Sequence, residues 1–162
     1  MKVSKIVLLA AVGLAFVGTA TAAGSYELVV TAEDGATLWR LPVSPGMPVV
    51  LKYVNSLYLA PTEEHFVVDP PGFRLRQVWS TSDAVLAYNS LPTPYTRQGW
   101  YFASSVQTFA PRIVTRIGPV GRQSLTVGDR DVPLFAAGTG ARVTLSVKRA
   151  FLPSSLRRLL GR

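Results

Sequence analysis

A chain of 162 residues, 48% hydrophobic and with a formal net charge of +8, can bury the core of one ordinary domain. It has no cysteine, which excludes a disulfide framework, a Cys-liganded metal, a thiol nucleophile and an anchor on a lipid-modified Cys. Its basic excess lies at the two ends, so nucleic acid is not an expected partner.

The first 23 residues read as an export signal. Lys2 and Lys5 give a positive start, Ile6 to Val17 is uncharged and nearly all apolar, and Ala20-Thr21-Ala22 supplies the small-x-small cleavage pattern. The expected location is extracytoplasmic, periplasmic or secreted, after cleavage behind Ala22 or Ala23. The alternative is an uncleaved anchor, since the 18 uncharged residues from Ile6 to Ala23 reach the lower limit of a membrane-spanning helix. Without Lys2 and Lys5 the chain carries 15 basic against 9 acidic groups, net +6. Lys148, Arg149, Arg157, Arg158 and Arg162 hold most of that excess, and the body from Gly24 to Val147 is only +1.

The expected organisation is a signal peptide over 1–23, one β domain over 24–150 and a basic amphipathic tail over 151–162. Tyr26 to Ala32 is β-prone and turns at Glu33-Asp34-Gly35 into Ala36 to Leu41. Pro42 to Pro48 reads as a loop and Val49 to Val54 as the next strand, with Leu51, Tyr53 and Asn55 on one face. Glu64 to Asp69 and Phe73 to Trp79 form the clearest hairpin, through Pro70-Pro71-Gly72. Later strands are expected over Ile113 to Ile117, Ser124 to Val127, Val132 to Ala136 and Arg142 to Lys148. No segment of the body sustains a 3.6-residue period. The fold class is therefore all-β, an antiparallel β-sandwich or partly open barrel, with one short helix at the C-terminus. That helix starts at Ser154 or Ser155 and carries Leu156, Leu159 and Leu160 beside Arg157, Arg158 and Arg162. Too short to stand alone in water, it must dock on the domain, on an anionic membrane surface or on a partner.

The segments Leu51-Lys52-Tyr53-Val54-Asn55-Ser56-Leu57 and Ala60-Pro61-Thr62-Glu63-Glu64-His65-Phe66-Val67-Val68-Asp69 carry a resemblance. They are similar to the signature of a bacterial family known as domain of unknown function 1850 (DUF1850), a Leu-x-Tyr-x-His-Ser-Val run followed by Pro-Val-x-Glu and an aromatic strand. The resemblance extends over roughly Leu38 to Val147. Members are often encoded beside tripartite (TRAP) transporters of the TAXI type. The resemblance thus implies an extracytoplasmic accessory whose partners are transporter subunits or the solute receptor. The chain departs from the pattern twice: Asn55 stands where the family commonly has His, and Asp83-Ala84-Val85-Leu86 replaces a Gly-rich stretch after Trp79.

Three groups of residues carry candidate chemistry. Glu63, Glu64 and His65 form the densest polar cluster, with Asp69 four residues on. On a strand Glu63 and His65 share one face and Glu64 the other, so the cluster is either a base or ligand pair or a solvated strand start. His65 is the only histidine, so no metal site is expected, and no Gly-x-Ser-x-Gly elbow supports nucleophilic catalysis. Tyr53, Asn55 and Ser56 meet this cluster if their strands pair, as a buried hydrogen-bond network or as a polar ligand pocket. Tyr88 to Phe102 reads as one long loop whose Tyr88, Tyr95 and Trp100 either stack on a ligand or fold as a flap over the open end of the domain. The expectation is a non-enzymatic accessory or binding module without catalytic residues or cofactor; the alternative is an independent periplasmic small-ligand-binding or envelope-structural domain, and a third reading is a hydrolase in which Glu64 and His65 converge in a cleft.

Overall fold

A computed structural model describes residues 25–150. The signal segment and the basic tail with Arg157, Arg158 and Arg162 lie outside the described residues. Eleven strands run in chain order among those described: β1 (Tyr26–Ala32), β2 (Thr37–Val43), β3 (Pro48–Asn55), β4 (Ala60–Asp69), β5 (Gly72–Ser80), β6 (Thr96–Gln98), β7 (Tyr101–Ala110), β8 (Arg112–Arg116), β9 (Ser124–Val127), β10 (Arg130–Val132) and β11 (Arg142–Arg149). One helix, α1 (Asp83–Tyr88), follows β5, and a 3-10 turn spans Leu134–Ala137. Among these residues no helix is long and apolar enough to cross a membrane.

The strands form two antiparallel sheets, β2-β1-β11-β8 and β10-β9-β3-β4-β5-β7-β6. They pack as a sandwich rather than a barrel. The first sheet joins the two ends of the domain: Leu28, Val30 and Ala32 of β1 stand opposite Val147, Leu145 and Val143 of β11. Strict alternation explains why this strand was legible, for Val143, Leu145 and Val147 are buried while Arg142, Lys148 and Arg149 are exposed. The core between the sheets joins Leu28, Val30, Leu41, Val143 and Leu145 to Val49, Leu51, Phe66, Val68, Phe73, Leu125 and Val127. Burying some two dozen such side chains supplies the main drive for folding.

Four expectations need correction. Val132 to Ala136 is not a strand: β10 ends at Val132, and Pro133, which lacks an N–H for a ladder, leads into the 3-10 turn. The Pro-rich loop shrinks to 44–47, because β2 runs through Pro42 to Val43; as an edge strand it tolerates a proline. The first departure from an all-strand body is α1, which buries only Val85 and Leu86 in six residues and so shows no apolar stripe in sequence. Tyr88 to Phe102 is not one loop either: it contains the end of α1, strand β6 and the start of β7. β7 went unread between residues 103 and 110 because it shows no apolar alternation: Ala103 and Ser104 are almost fully buried, while Phe109 is exposed.

Candidate functional site

Strand pairing decides which polar residues meet. β3 and β4 are antiparallel with Tyr53 opposite Thr62, Leu51 opposite Glu64 and Val49 opposite Phe66. Because Leu51, Val49 and Phe66 belong to the core, Tyr53 and Glu64 also project inward. There the Tyr53 Oη–H donates to Glu64 Oε1 at 2.9 Å. Glu64 and His65, neighbours in sequence, therefore point to opposite faces of the sheet, and the acid–base pair they would make does not form. The pair that forms is on the outer face: His65 Nε2 lies 3.0 Å from Glu63 Oε2, off the line that a hydrogen bond needs. Asp69 is at the far end of β4, bonded to Arg74.

A cavity of about 390 Å³ opens beside Glu64. Leu51 and Tyr53 of β3, Glu64 of β4, Ile113 and Thr115 of β8 and the 118–123 segment line it, with Asn55 and Ser56 at the end of β3. Its size falls at the small end of ligand pockets. The chemistry of its wall is unbalanced. Among the described residues Glu64 has no ion-pair partner, and Tyr53 is its only side-chain donor. Gln123 Nε2 donates to the Arg116 carbonyl at 3.0 Å, but its Oε1 is buried with no partner. Gly121 permits this fold of Gln123, since a Cβ there would lie 2.5 Å from Gln123 Nε2. Arg116 also lines the cavity, yet its guanidinium donates to the Gly140 carbonyl.

Burial shifts both members of the inner pair. Desolvation raises the Glu64 carboxyl above the ordinary 4.5, and the Tyr53 hydrogen bond only partly offsets it. Desolvation, then the nearby Glu64 charge and hydrogen bond, push the Tyr53 phenol far up, so it stays a donor. On the outer face, burial lowers His65 against the opposing pull of Glu63, with Lys52 adding to the lowering. A carboxyl that holds its proton more tightly when folded stabilises the fold fully below 4.5 and loses that contribution as pH rises through its raised value. Glu64→Gln is therefore expected to gain on the parent chain as pH increases. Urea unfolding at steps from pH 4 to pH 9 checks this: the gap between the two should widen with pH, and a constant gap would contradict the desolvation of Glu64.

Of the other residues singled out in sequence, Asn55 and Ser56 line the cavity and Tyr88, Tyr95 and Trp100 do not. Asn55 accepts backbone N–H bonds from Leu57 and Tyr58, both at 3.1 Å, so in this chain it caps the turn into β4. Tyr88 ends α1 and packs edge-on against Tyr58, Tyr95 lies between α1 and β6, and Trp100 stands 86% exposed at the β6–β7 turn. Trp100 and Tyr88 thus complete no core, while Tyr95, Tyr101 and Phe102 are half-buried. The outer face carries an aromatic row instead: His65 stacks on Trp79 at 4.3 Å, and Trp79 meets Tyr101 at 6.1 Å. Ile113, Thr115 and Gln123 were missed as site residues; no motif marks them, and they reach the cavity beside Glu64 only through the packing of β8 and of the segment that leads into β9.

Compared with protein-family models, curated proteins and solved structures, the chain has no match.

Proposed function

We propose that this chain is an exported, non-enzymatic module that binds a small molecule in the cavity beside Glu64. One observation carries the reading: a carboxyl is held in a largely buried site with a single hydroxyl donor and open space in front of it. Desolvating such a group costs free energy that the fold does not recover from an ion pair. A site that accepts this cost gains from a ligand that supplies the missing partner. The Tyr53 bond fixes the carboxyl's rotamer, and Leu51 and Ile113 give the apolar wall that most ligand pockets have.

The resemblance of the Leu51–Leu57 and Ala60–Asp69 segments to the DUF1850 family supports a setting for this activity, an accessory beside a TAXI-type tripartite transporter. The basic residues at 148, 149, 157, 158 and 162 suit contact with such a partner or with an anionic membrane surface. The test is isolation of the tagged protein from its native envelope, followed by mass spectrometry of proteins and of small molecules. Transporter subunits in stoichiometric amount are expected, together with a small molecule that the Glu64→Gln protein does not retain. A protein that carries a ligand but no transporter subunit would leave an independent periplasmic binding domain. A protein that carries neither would defeat the reading.

A further inference from the structure

The polar groups of the cavity are mismatched in one direction. Gln123 Oε1, buried without a partner, and the Glu64 carboxyl, whose one side-chain donor is Tyr53, are both acceptors. The strongest donors beside them are already engaged, Tyr53 with Glu64 and Arg116 with the Gly140 carbonyl. Buried acceptors without donors are costly, and each is relieved by an N–H or O–H brought from outside. The surroundings also select for charge. Of the groups that surround Glu64 in the cavity and on the paired strands, β3 gives Tyr53 and Leu51, β5 gives Val78, and β8 gives Ile113, Thr115 and Arg116, whose guanidinium is turned to the Gly140 carbonyl. Tyr53 is held neutral, which leaves Arg116 as the charged side chain among them. Among the described residues no cation pairs with Glu64.

We infer that the cavity beside Glu64 takes a small aliphatic amine as its ammonium ion, with N–H donors to the Glu64 carboxylate and the alkyl part against Leu51 and Ile113. This rests on the reading of the cavity as a ligand site. An ammonium in this position does what neither a neutral alcohol nor a carboxylate can do: it donates several hydrogen bonds and neutralises the carboxylate in the same contact. A carboxylate ligand would place two anions in one desolvated site. The volume limits the guest to a small molecule, and the apolar wall favours a short alkyl chain over a heavily hydroxylated one. Because Glu64 must ionise to receive the ammonium, binding releases a proton wherever the free site is protonated, and affinity rises with pH until the free carboxyl is ionised.

The experiment titrates purified protein with butylamine, butanol and butyrate in parallel, by calorimetry and by amide chemical shifts, at pH 5 and pH 8. Butylamine is expected to bind, more tightly at pH 8 than at pH 5, with shifts centred on Tyr53, Glu64 and Gln123. Butanol and butyrate are expected not to bind. Glu64→Gln, which keeps size and hydrogen bonding, should weaken butylamine at least tenfold and remove the pH dependence. Thr115→Trp, which fills the cavity from the β8 side, should abolish binding. If butanol or butyrate binds in place of the amine and Thr115→Trp blocks it, the cavity is a ligand site but the amine assignment is wrong. If no probe binds, or if binding survives Thr115→Trp, the cavity reading itself falls.

Discussion

Phe73→Ala is expected to lower the free energy of unfolding by about 3–5 kcal/mol, the cost of removing a buried aromatic ring whose neighbours do not collapse into the space. Phe73 is fully buried, and it is the largest of the fully enclosed side chains. Its ring meets Phe66 edge-on at 6.2 Å and 68°, a geometry that adds to the area it buries. It also stands at a structural crossing. Across β4 it pairs with Val68 and across β7 with Ala110, and β7 hands the chain to β8 of the other sheet one residue later. Truncating it therefore hollows the core where both sheets and their connection meet. Urea unfolding measures the loss, with Val114→Ala as control; Val114 is 42% exposed on β8, and its truncation is expected to change stability by less than about 0.5 kcal/mol. A loss below about 1 kcal/mol at Phe73 would mean that the ring does not hold the sheets together.

Much of this core was legible from period alone. The β1, β3, β4–β5 and β11 segments alternate apolar and polar residues or flank Pro-Gly turns, and each formed as a strand. The inward placement of Tyr53 with Glu64 followed from pairing two such strands, and so did the separation of Glu64 from His65. What sequence does not carry is the relation between distant segments. The cavity depends on β8 lying across β3 and β4, and residues 113 and 64 are brought together by a crossover that no local pattern announces. Gln123 shows the same limit. Its meaning comes from Gly121, which leaves room for it, and from the Arg116 carbonyl it caps, neither of which resembles a motif. β7 was hidden for a different reason: Ser104 satisfies its hydroxyl on the Pro92 carbonyl at 2.6 Å, so a polar residue occupies a fully buried position. Asn55 was read against a family pattern, but its side chain is spent on two backbone N–H groups of its own turn.

Gly72→Ala is expected to destabilise the fold by about 3 kcal/mol, at the upper end of the range for forcing extra atoms into a packed region. The reason is contact with main chain rather than backbone conformation. A Cβ at Gly72 would press on the Ala110 carbonyl oxygen and lie 2.8 Å from Pro111 Cα, with Phe109 Cζ at 3.0 Å. A flexible side chain yields to such a clash cheaply; a carbonyl and a proline ring carbon do not, because they belong to the segment that carries the chain from β7 into β8. Relief requires the β4–β5 hairpin to move away from that crossover. Phe73 is the next residue, so the displacement passes directly into the core. Gly46→Ala is the contrasting variant: nothing lies within 4 Å of its added Cβ, and its cost comes from its φ of +80° alone, about 1 kcal/mol. Thermal and urea unfolding of the two variants separate the causes. A Gly72→Ala protein no less stable than Gly46→Ala would show that the hairpin is free to shift, and that the close approach at the crossover is not needed to hold β8 over the cavity. If Gly72→Ala is the weaker of the two and also lowers affinity at the Glu64 cavity, the same crossover sets both the core and the site, since β8 supplies Ile113 and Thr115 to its wall.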